Sequence, residues 1–449
     1  MSTDIRIRKG LDIKLVGEAE KTTSALPLSS VFAVKPEDFH GIIPKLKVRE
    51  KAEVKAGEAI FYSKADDRIL FPSPVSGEII EIVRGAKRKI LEVKILADKE
   101  QKFADFGKKD ISGLFADDIK AHLLASGCWP FIKQRPYDVI AKPDDTPKSI
   151  FVSAYASAPL APDYNYVLQG KEAELQVALT ALSKLTSGKV HVSVKAGSSS
   201  VFDGLQNIQL HKVSGPHPIG NVSTQIANID PINKGEKVWV VTPQDLVIIG
   251  ELLLTGKFNS ARTVALTGSH FSKPKYVTVH IGTMVSDIVA NELKPEKTRL
   301  ISGNVLTGKQ VGTNGYLGYY DNQITAIPEG DDYEFFGWLK PVFNKISPSR
   351  ALTFSWLSSN KKYDLNTNTN GEHRAFVVTG QYEEVFPLDI YPMQLLKACM
   401  YEDLDEMENL GMYEVAPEDF ALTEFVCVSK QPHQEIIRKG LDLMLKEIG

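Results

Sequence analysis

Cysteine is close to missing from this sequence: there are 3 in 449 residues, at Cys128, Cys399 and Cys427. They form no CxxC pair and no zinc spacing. An iron–sulfur cluster usually takes four cysteines, so this chain is not expected to carry one. A count this low fits a reducing compartment. Long hydrophobic runs are missing too. A bilayer span needs roughly 20 apolar residues, and the most apolar stretch, 238–254, is broken by Gln244, Asp245 and Glu251. The opening MSTDIRIRKGLDIKL alternates like a strand and has no signal-peptide core. A location on the cytosolic side is therefore expected, with any membrane contact made through partners. Charge of one sign is also scarce. The balance of 53 basic and 56 acidic residues leaves −3, without a clustered Lys/Arg tract, which argues against nucleic acid as the main partner. Histidines are scattered. His211 and His217 flank a Gly-Pro turn at poor ligand spacing, and no metal site is expected. Asp331-Asp332 and the acidic run 402–406 read as solvated charges rather than convergent hard-metal ligands.

Hydrophobic content of 43% and charged content of 24% are those of a globular protein, and the length implies roughly three or four domains. The first hundred residues are strand-rich and punctuated by Gly41, Gly57, Pro72, Pro74, Gly77 and Gly85. The segment FPSPVSGEII at 71–80 and the turn-then-strand VKAGEAIF at 54–61 resemble the barrel-sandwich hybrid of biotinyl and lipoyl carriers. Prolines there suit a strand edge or tight bend. A working carrier needs a lysine in a Glu-Ala-Met-Lys-Met type context, and the tip here is YSKADDR, so Lys64 reads as a solvated turn residue. Beyond 110 the pattern changes. Helical spacing at 119–124 and 173–185 alternates with apolar strands at 150–154, 190–194, 208–212 and 238–241, followed by a helix at 243–254 that ends at Gly256. Such alternation predicts an α/β unit with a mostly parallel sheet. Short strands at 264–267, 276–280 and 299–302 surround a helix at 286–292. The stretch 333–358 is aromatic and irregular, DLNTNTNG at 364–371 is a polar loop, and the chain is helical from 391.

A collinear set of segments then carries a resemblance over essentially the whole chain: the 71–80 hairpin, FVSAYASAPLAPD at 151–163, GPHPIGN at 215–221, VWVVTPQDLVIIGELLLTGKF at 238–258, LISGNVLTG at 300–308, FPLDIYP at 386–392 and FVCVSKQP at 425–432. It resembles the family of A-type subunits of the sodium-translocating NADH:quinone oxidoreductases. More distantly it is similar to the C-type subunit of the Rnf complex and to the flavin- and NADH-binding subunit of respiratory complex I. The resemblance implies a multidomain α/β and β fold: a barrel-sandwich hybrid at 1–100, a Rossmann-like α/β domain at 101–258, a β-grasp, SLBB-like domain at 259–330, a linking segment at 331–390 and a C-terminal helical bundle at 391–449. It also implies a peripheral subunit on the cytoplasmic face of a bacterial inner membrane, partnered by the other subunits of a complex that couples NADH oxidation and quinone reduction to sodium export. Sodium passage needs polar groups within a span, so no sodium site is assigned to this chain.

Departures from the resemblance matter as much as the matches. Where flavin-binding relatives have a glycine-rich phosphate cradle, this chain has Ser126-Gly127-Cys128-Trp129-Pro130-Phe131. An indole and a proline without N–H leave little bare peptide for a phosphate. FMN and NADH are not expected here, and Cys399 and Cys427 read as buried core. Two roles stay open. In the first, quinone is a substrate held by aromatic walls and a few donors. The candidates are Trp129, Phe131, Lys133 and Arg135 in WPFIKQRPY, Phe32 in VFAV ahead of Lys35 and His40, and His217 in the turn-like GPHPIGN, where it would titrate near neutrality. In the second, Trp129 and Phe131 simply fill a core, and the chain is a non-catalytic scaffold.

Overall fold

The computed structural model describes residues 4–290, 292–331, 334–337, 339, 343–348, 355–357 and 360–449. Asp332, Tyr333 and Ser358, which bound or enter the segments discussed above, lie outside the described residues. Four sheets organise the chain. The largest has seven strands in the order Asp4–Arg6, Gln209–Ser214, Val190–Lys195, Ser149–Ser153, Val238–Val240, Lys133–Arg135, Val139–Ile140. Its first five strands run parallel, and the last two are added antiparallel. The central strands are apolar at nearly every position because both faces are covered. On one face the helices Glu172–Ser183 and Pro243–Thr255 pack together so closely that a Cβ on Gly250 would stand 2.0 Å from the Glu174 carbonyl oxygen.

The helix Pro243–Thr255 illustrates local coding. Thr242 caps its N-terminus by accepting from the Asp245 N–H, proline occupies the first turn where no N–H is needed, and Gly256 closes it at φ 75°. Directly after it, strand Ala261–Thr267 begins a six-stranded sheet ordered Lys309–Val311, Thr298–Ser302, Gln323–Pro328, Ala261–Thr267, Lys275–His280, Glu20–Ala25. The short helix Val285–Val289 buries Val285, Ile288 and Val289 among its core residues. A four-stranded and a three-stranded sheet, drawn from residues 31–97, form the β module around Phe61, Phe71, Ile79, Val93 and Ile95. In the C-terminal part, Pro392–Met400 and His433–Glu447 share a core with Phe151, Val222 and Val238 of the seven-stranded sheet region.

Two strands ahead of the β module pair outside it: Asp4–Arg6 with Gln209–Ser214, and Glu20–Ala25 in parallel with Lys275–His280. The alternation in DIRIR was correctly a strand signal, but strand partners are not encoded locally. The chain thus threads two sheets before it enters the β module at Val31–Val34.

Candidate functional site

The six residues nominated from sequence do not converge. Trp129 and Phe131 lie in the tight turn Trp129–Phe131 after helix Ala116–Ala125. Gly127 makes the approach to this turn at φ 73°, where a Cβ would stand 2.7 Å from the Pro72 ring. The Trp129 indole is fully buried, donates Nε1–H to the Ala141 carbonyl at 2.7 Å, and meets Trp239 edge-on at 5.4 Å. Phe131 lies parallel to Tyr319 at 5.4 Å and to Phe258 at 6.3 Å. These rings occupy packed core, and their faces are taken by neighbours.

Lys133 sets its ammonium 4.2 Å from the Tyr320 ring centre, a cation–π contact. Arg135 turns instead toward the C-terminal part and bonds Glu418 at 2.8 Å, with Asp138 at 3.6 Å. His217 lies across the molecule, with Nδ1 at 2.9 Å from the Ser157 hydroxyl and its backbone N–H given to Asp12. Near-neutral titration was expected of His217, and this is corrected: burial pushes its pKa down to about 4. Lys35 and His40 are committed as well, to the Tyr316 carbonyl and to Asp442. Lys64 is exposed in the turn after strand Ala59–Ser63, held only through its backbone N–H to Ile43. We expect the intact mass of the purified chain to equal the unmodified sequence; an added acyl group on Lys64 would revive the carrier reading.

Phe32 touches the floor of a cleft, although its ring is fully buried in the core of the β module. Where strand Val31–Val34 leaves the β module, Ala33 donates to the Gly282 carbonyl and Phe32 bridges Thr283. The connecting segment 26–29 forms one wall, and the end of strand Lys275–His280 with the first turn of helix Val285–Val289 forms the other. Between them is a cleft of about 200 Å³ lined by Phe32, Ser29, Thr278, His280, Thr283 and Asp287. Phe32 meets the His280 ring edge-on at 6.4 Å. Ser260 gives its proton to the Pro74 carbonyl at 2.7 Å and stands 3.0 Å from His280 Nδ1, so its oxygen accepts the Nδ1–H. Burial lowers the His280 pKa and favours the neutral ring. Sequence reasoning found Phe32 and the strand at 276–280 but not His280 as its partner. No local signal links positions so far apart.

A second polar feature lies at the joint between the α/β unit and the six-stranded sheet. Arg262 bonds Asp245 at 2.9 Å, with both side chains essentially inaccessible, and Arg262 also donates to Asn322 at 3.0 Å. Gln244 clamps the Thr263 backbone twice, at 2.8 Å each way. Among the described residues, no group of three or more His, Cys, Asp or Glu gathers as a metal site. Asp331 pairs with Lys297, and Asp403 caps helix Leu404–Asn409. Among the described residues, no helix is long and apolar enough to cross a membrane.

Comparison with known proteins places the architecture. Three family models match in order: the NqrA N-terminal barrel-sandwich hybrid domain over residues 5–98, the NqrA second alpha/beta domain over 114–258, and the NQRA C-terminal domain over 263–313. The A-type subunit of the Na(+)-translocating NADH-quinone reductase of Neisseria meningitidis serogroup B is 36% identical over 446 residues, covering 99% of this chain and 100% of the relative. The chain belongs to the NqrA family. The corresponding NqrA proteins of Haemophilus influenzae strain Rd and of Serratia proteamaculans are 36% and 35% identical, again over 99% of this chain and all of theirs. Among solved structures, an NAD+-reducing [NiFe]-hydrogenase in the H2-reduced state aligns with 41% of this chain and 41% of its own, at 10% identity and a TM-score of 0.33, too low to speak to the fold. The family's barrel-sandwich module begins at residue 5 in sequence, whereas in space the strands before residue 26 belong to the two neighbouring sheets.

Proposed function

We propose that this chain is the peripheral, cytoplasmic-face member of a sodium-translocating NADH:quinone reductase, and that it holds a quinone headgroup in the Phe32–His280 cleft without a redox cofactor of its own. The other subunits of the complex are its partners and provide its contact with the membrane. Within this reading the seven-stranded unit serves as a Rossmann-like domain that has lost its nucleotide, and the C-terminal helices form a bundle packed against it. The observation that carries the quinone role is the cleft itself: an apolar wall from Leu26, Pro27 and Leu28, with Phe32 buried beneath it, and a small set of polar groups around a volume suited to a single substituted ring. The absence of flavin chemistry rests on the turn at 129–131. There the backbone N–H groups of Cys128 and Phe131 go to the Leu123 and Cys128 carbonyls, the Trp129 indole N–H is spent on Ala141, and proline has no N–H to offer.

A second reading, a scaffold that only stabilises its partners, is favoured by the burial of Trp129 and Phe131 in packed core. A photoreactive quinone applied to the assembled complex separates the two. The quinone role predicts adducts on peptides spanning 26–32 and 278–283, suppressed by Phe32→Ala. Adducts confined to other subunits, together with quinone reduction by a complex lacking this chain, would establish the scaffold instead.

A further inference from the structure

Apolar side chains left in water are unevenly spread over this protein. Among the described residues, 5 phenylalanine or tryptophan side chains are exposed, and 4 of them, Phe335, Phe336, Phe343 and Trp356, fall within one short stretch, joined there by Leu339 and Leu357. These six side chains are between 51% and 88% exposed. Phe335 and Phe336 meet each other edge-on at 4.4 Å. Of the 4 tryptophans in the sequence, Trp129 and Trp239 are fully buried, and the other two, Trp338 and Trp356, both belong to this stretch. Single exposed apolar residues need no explanation, but a cluster of them marks an interaction surface. The root of the stretch is tied to the body. Ile346 packs against the core cluster that contains Ile13 and Leu15. Asp364 donates its N–H to the Asn344 side chain at 3.1 Å, and Tyr363 pairs through its backbone with Lys14 and Val16.

Charge decides what kind of surface these rings meet. From 335 to 363 the sequence has five basic residues, Lys340, Lys345, Arg350, Lys361 and Lys362, and no acidic one, in a chain whose net charge is −3. Lys340 and Arg350 lie outside the described residues and enter as sequence alone. Lys345 pairs with Glu334 and Lys362 with Glu18, surface contacts that salt screens. Lys361 donates to the Phe343 carbonyl, which leaves its charge in place beside an exposed ring. Tryptophan and phenylalanine at headgroup level, with lysine and arginine and without carboxylates, match an anionic lipid surface. An apolar groove on a protein would require no such exclusion of carboxylates. We propose that Phe335, Phe343 and Trp356, with the bases around them, dock on the headgroup region of an anionic bilayer. The chain then touches lipid itself, beside the attachment that its partner subunits provide. This goes beyond the quinone reading and does not depend on it. Rings and a few bases give reversible attachment, not a span. Docking on a membrane partner at the same time raises their effective concentration at the lipid surface.

The test is co-sedimentation of the full-length chain with phosphatidylcholine vesicles and with vesicles that also contain phosphatidylglycerol. Binding to the mixed vesicles is expected to be at least about fivefold stronger than to phosphatidylcholine alone, and to fall as salt is raised. Combining Phe335→Ser, Phe343→Ser and Trp356→Ser should weaken it at least about tenfold. All three side chains are exposed, so the thermal midpoint of this variant should match that of the parent. Brominated lipid gives a second readout that leaves the rings in place. It quenches indoles at the headgroup boundary, so emission should drop on binding. Trp356→Phe should reduce that drop while binding persists, because Trp129 and Trp239 stay buried in the core. Absence of binding to either vesicle, equal binding to both, binding that ignores the triple substitution, or quenching unchanged by Trp356→Phe would each overturn the proposal. If the parent chain ignores lipid and the triple variant drops out of the detergent-solubilised complex, a protein partner covers the patch and the lipid assignment is wrong.

Discussion

Replacing Arg262 with alanine is expected to destabilise the protein by about 3–5 kcal/mol, the range for removing one partner of a fully buried ion pair. The guanidinium neutralises Asp245 inside the joint between helix Pro243–Thr255 and strand Ala261–Thr267, and both side chains are essentially inaccessible. Burial already raises the Asp245 pKa, and Arg262 is the main influence lowering it. Without Arg262, the carboxylate must take up a proton or stay charged and unpaired, and Asn322 loses its donor as well. The pair is not thereby a net source of stability. Replacing both partners by apolar residues of similar volume, Arg262→Met with Asp245→Leu, is expected to recover most of the loss, because the desolvation of both charges disappears with them. Denaturant midpoints for the two singles and the double, read at constant slope, check this. A loss below about 1 kcal/mol for Arg262→Ala would mean that water reaches the pair. The consequence extends to the cleft, since Ala261–Thr267 is the strand beside Lys275–His280 and fixes where His280 stands.

Much of the fold was legible because its signals were local. Helix Pro243–Thr255 wrote its own beginning and end through Thr242, Pro243 and Gly256, and the apolar strands at 149–153 and 190–195 matched the alternation expected of a parallel sheet. Pairing was not legible. Asp4–Arg6 alternates convincingly, but nothing within it specifies Gln209–Ser214 as its partner, and Glu20–Ala25 is equally silent about Lys275–His280. The site shows the same division. Aromatic residues beside bases in WPFIKQRPY satisfied the chemistry of a quinone wall, but that composition is shared with a packed core, and only tertiary contacts with Trp239, Tyr319 and Phe258 separate the two. Phe32 was nominated from an apolar strand, and it is the nominated residue that borders this cleft, from within the core. The polar half of its cleft came from a segment whose sequence, KYVTVH, reads as an ordinary edge of a sheet.

Acidification from pH 7 to about 4 is expected to remove several kcal/mol of stability, through histidines that carry no assigned function. Burial holds His191, His217 and His433 at pKa values of about 4, against about 6.5 in an unfolded chain. Between those limits the unfolded state binds the proton and the folded state does not. The stability is therefore complete above pH 6.5 and is lost as pH falls toward 4, by about 3 kcal/mol per histidine. The local structure explains why protonation is resisted. His191 Nδ1 and His211 Nε2 stand 3.0 Å apart and share one hydrogen, so a further proton on the pair would set two donors against each other. His433 stands 2.9 Å from Thr423, whose proton goes to the Phe420 carbonyl, so Nδ1 donates to the hydroxyl oxygen and Nε2 is left bare among Phe376 and Tyr382. Buried and half-buried carboxylic acids whose pKa is raised, Asp38, Asp245, Glu414 and Asp419, act in the opposite sense. Asp419 is raised to about 6, chiefly by burial and the neighbouring Glu418, so it takes up its proton in the folded state first and offsets roughly one histidine over the same interval. Thermal midpoints measured from pH 7 to 4 should fall continuously, and His217→Asn and His433→Gln should each flatten the decline while lowering the pH 7 value. A profile that stays level between pH 6.5 and 4.5 would show that these rings reach solvent and protonate without unfolding.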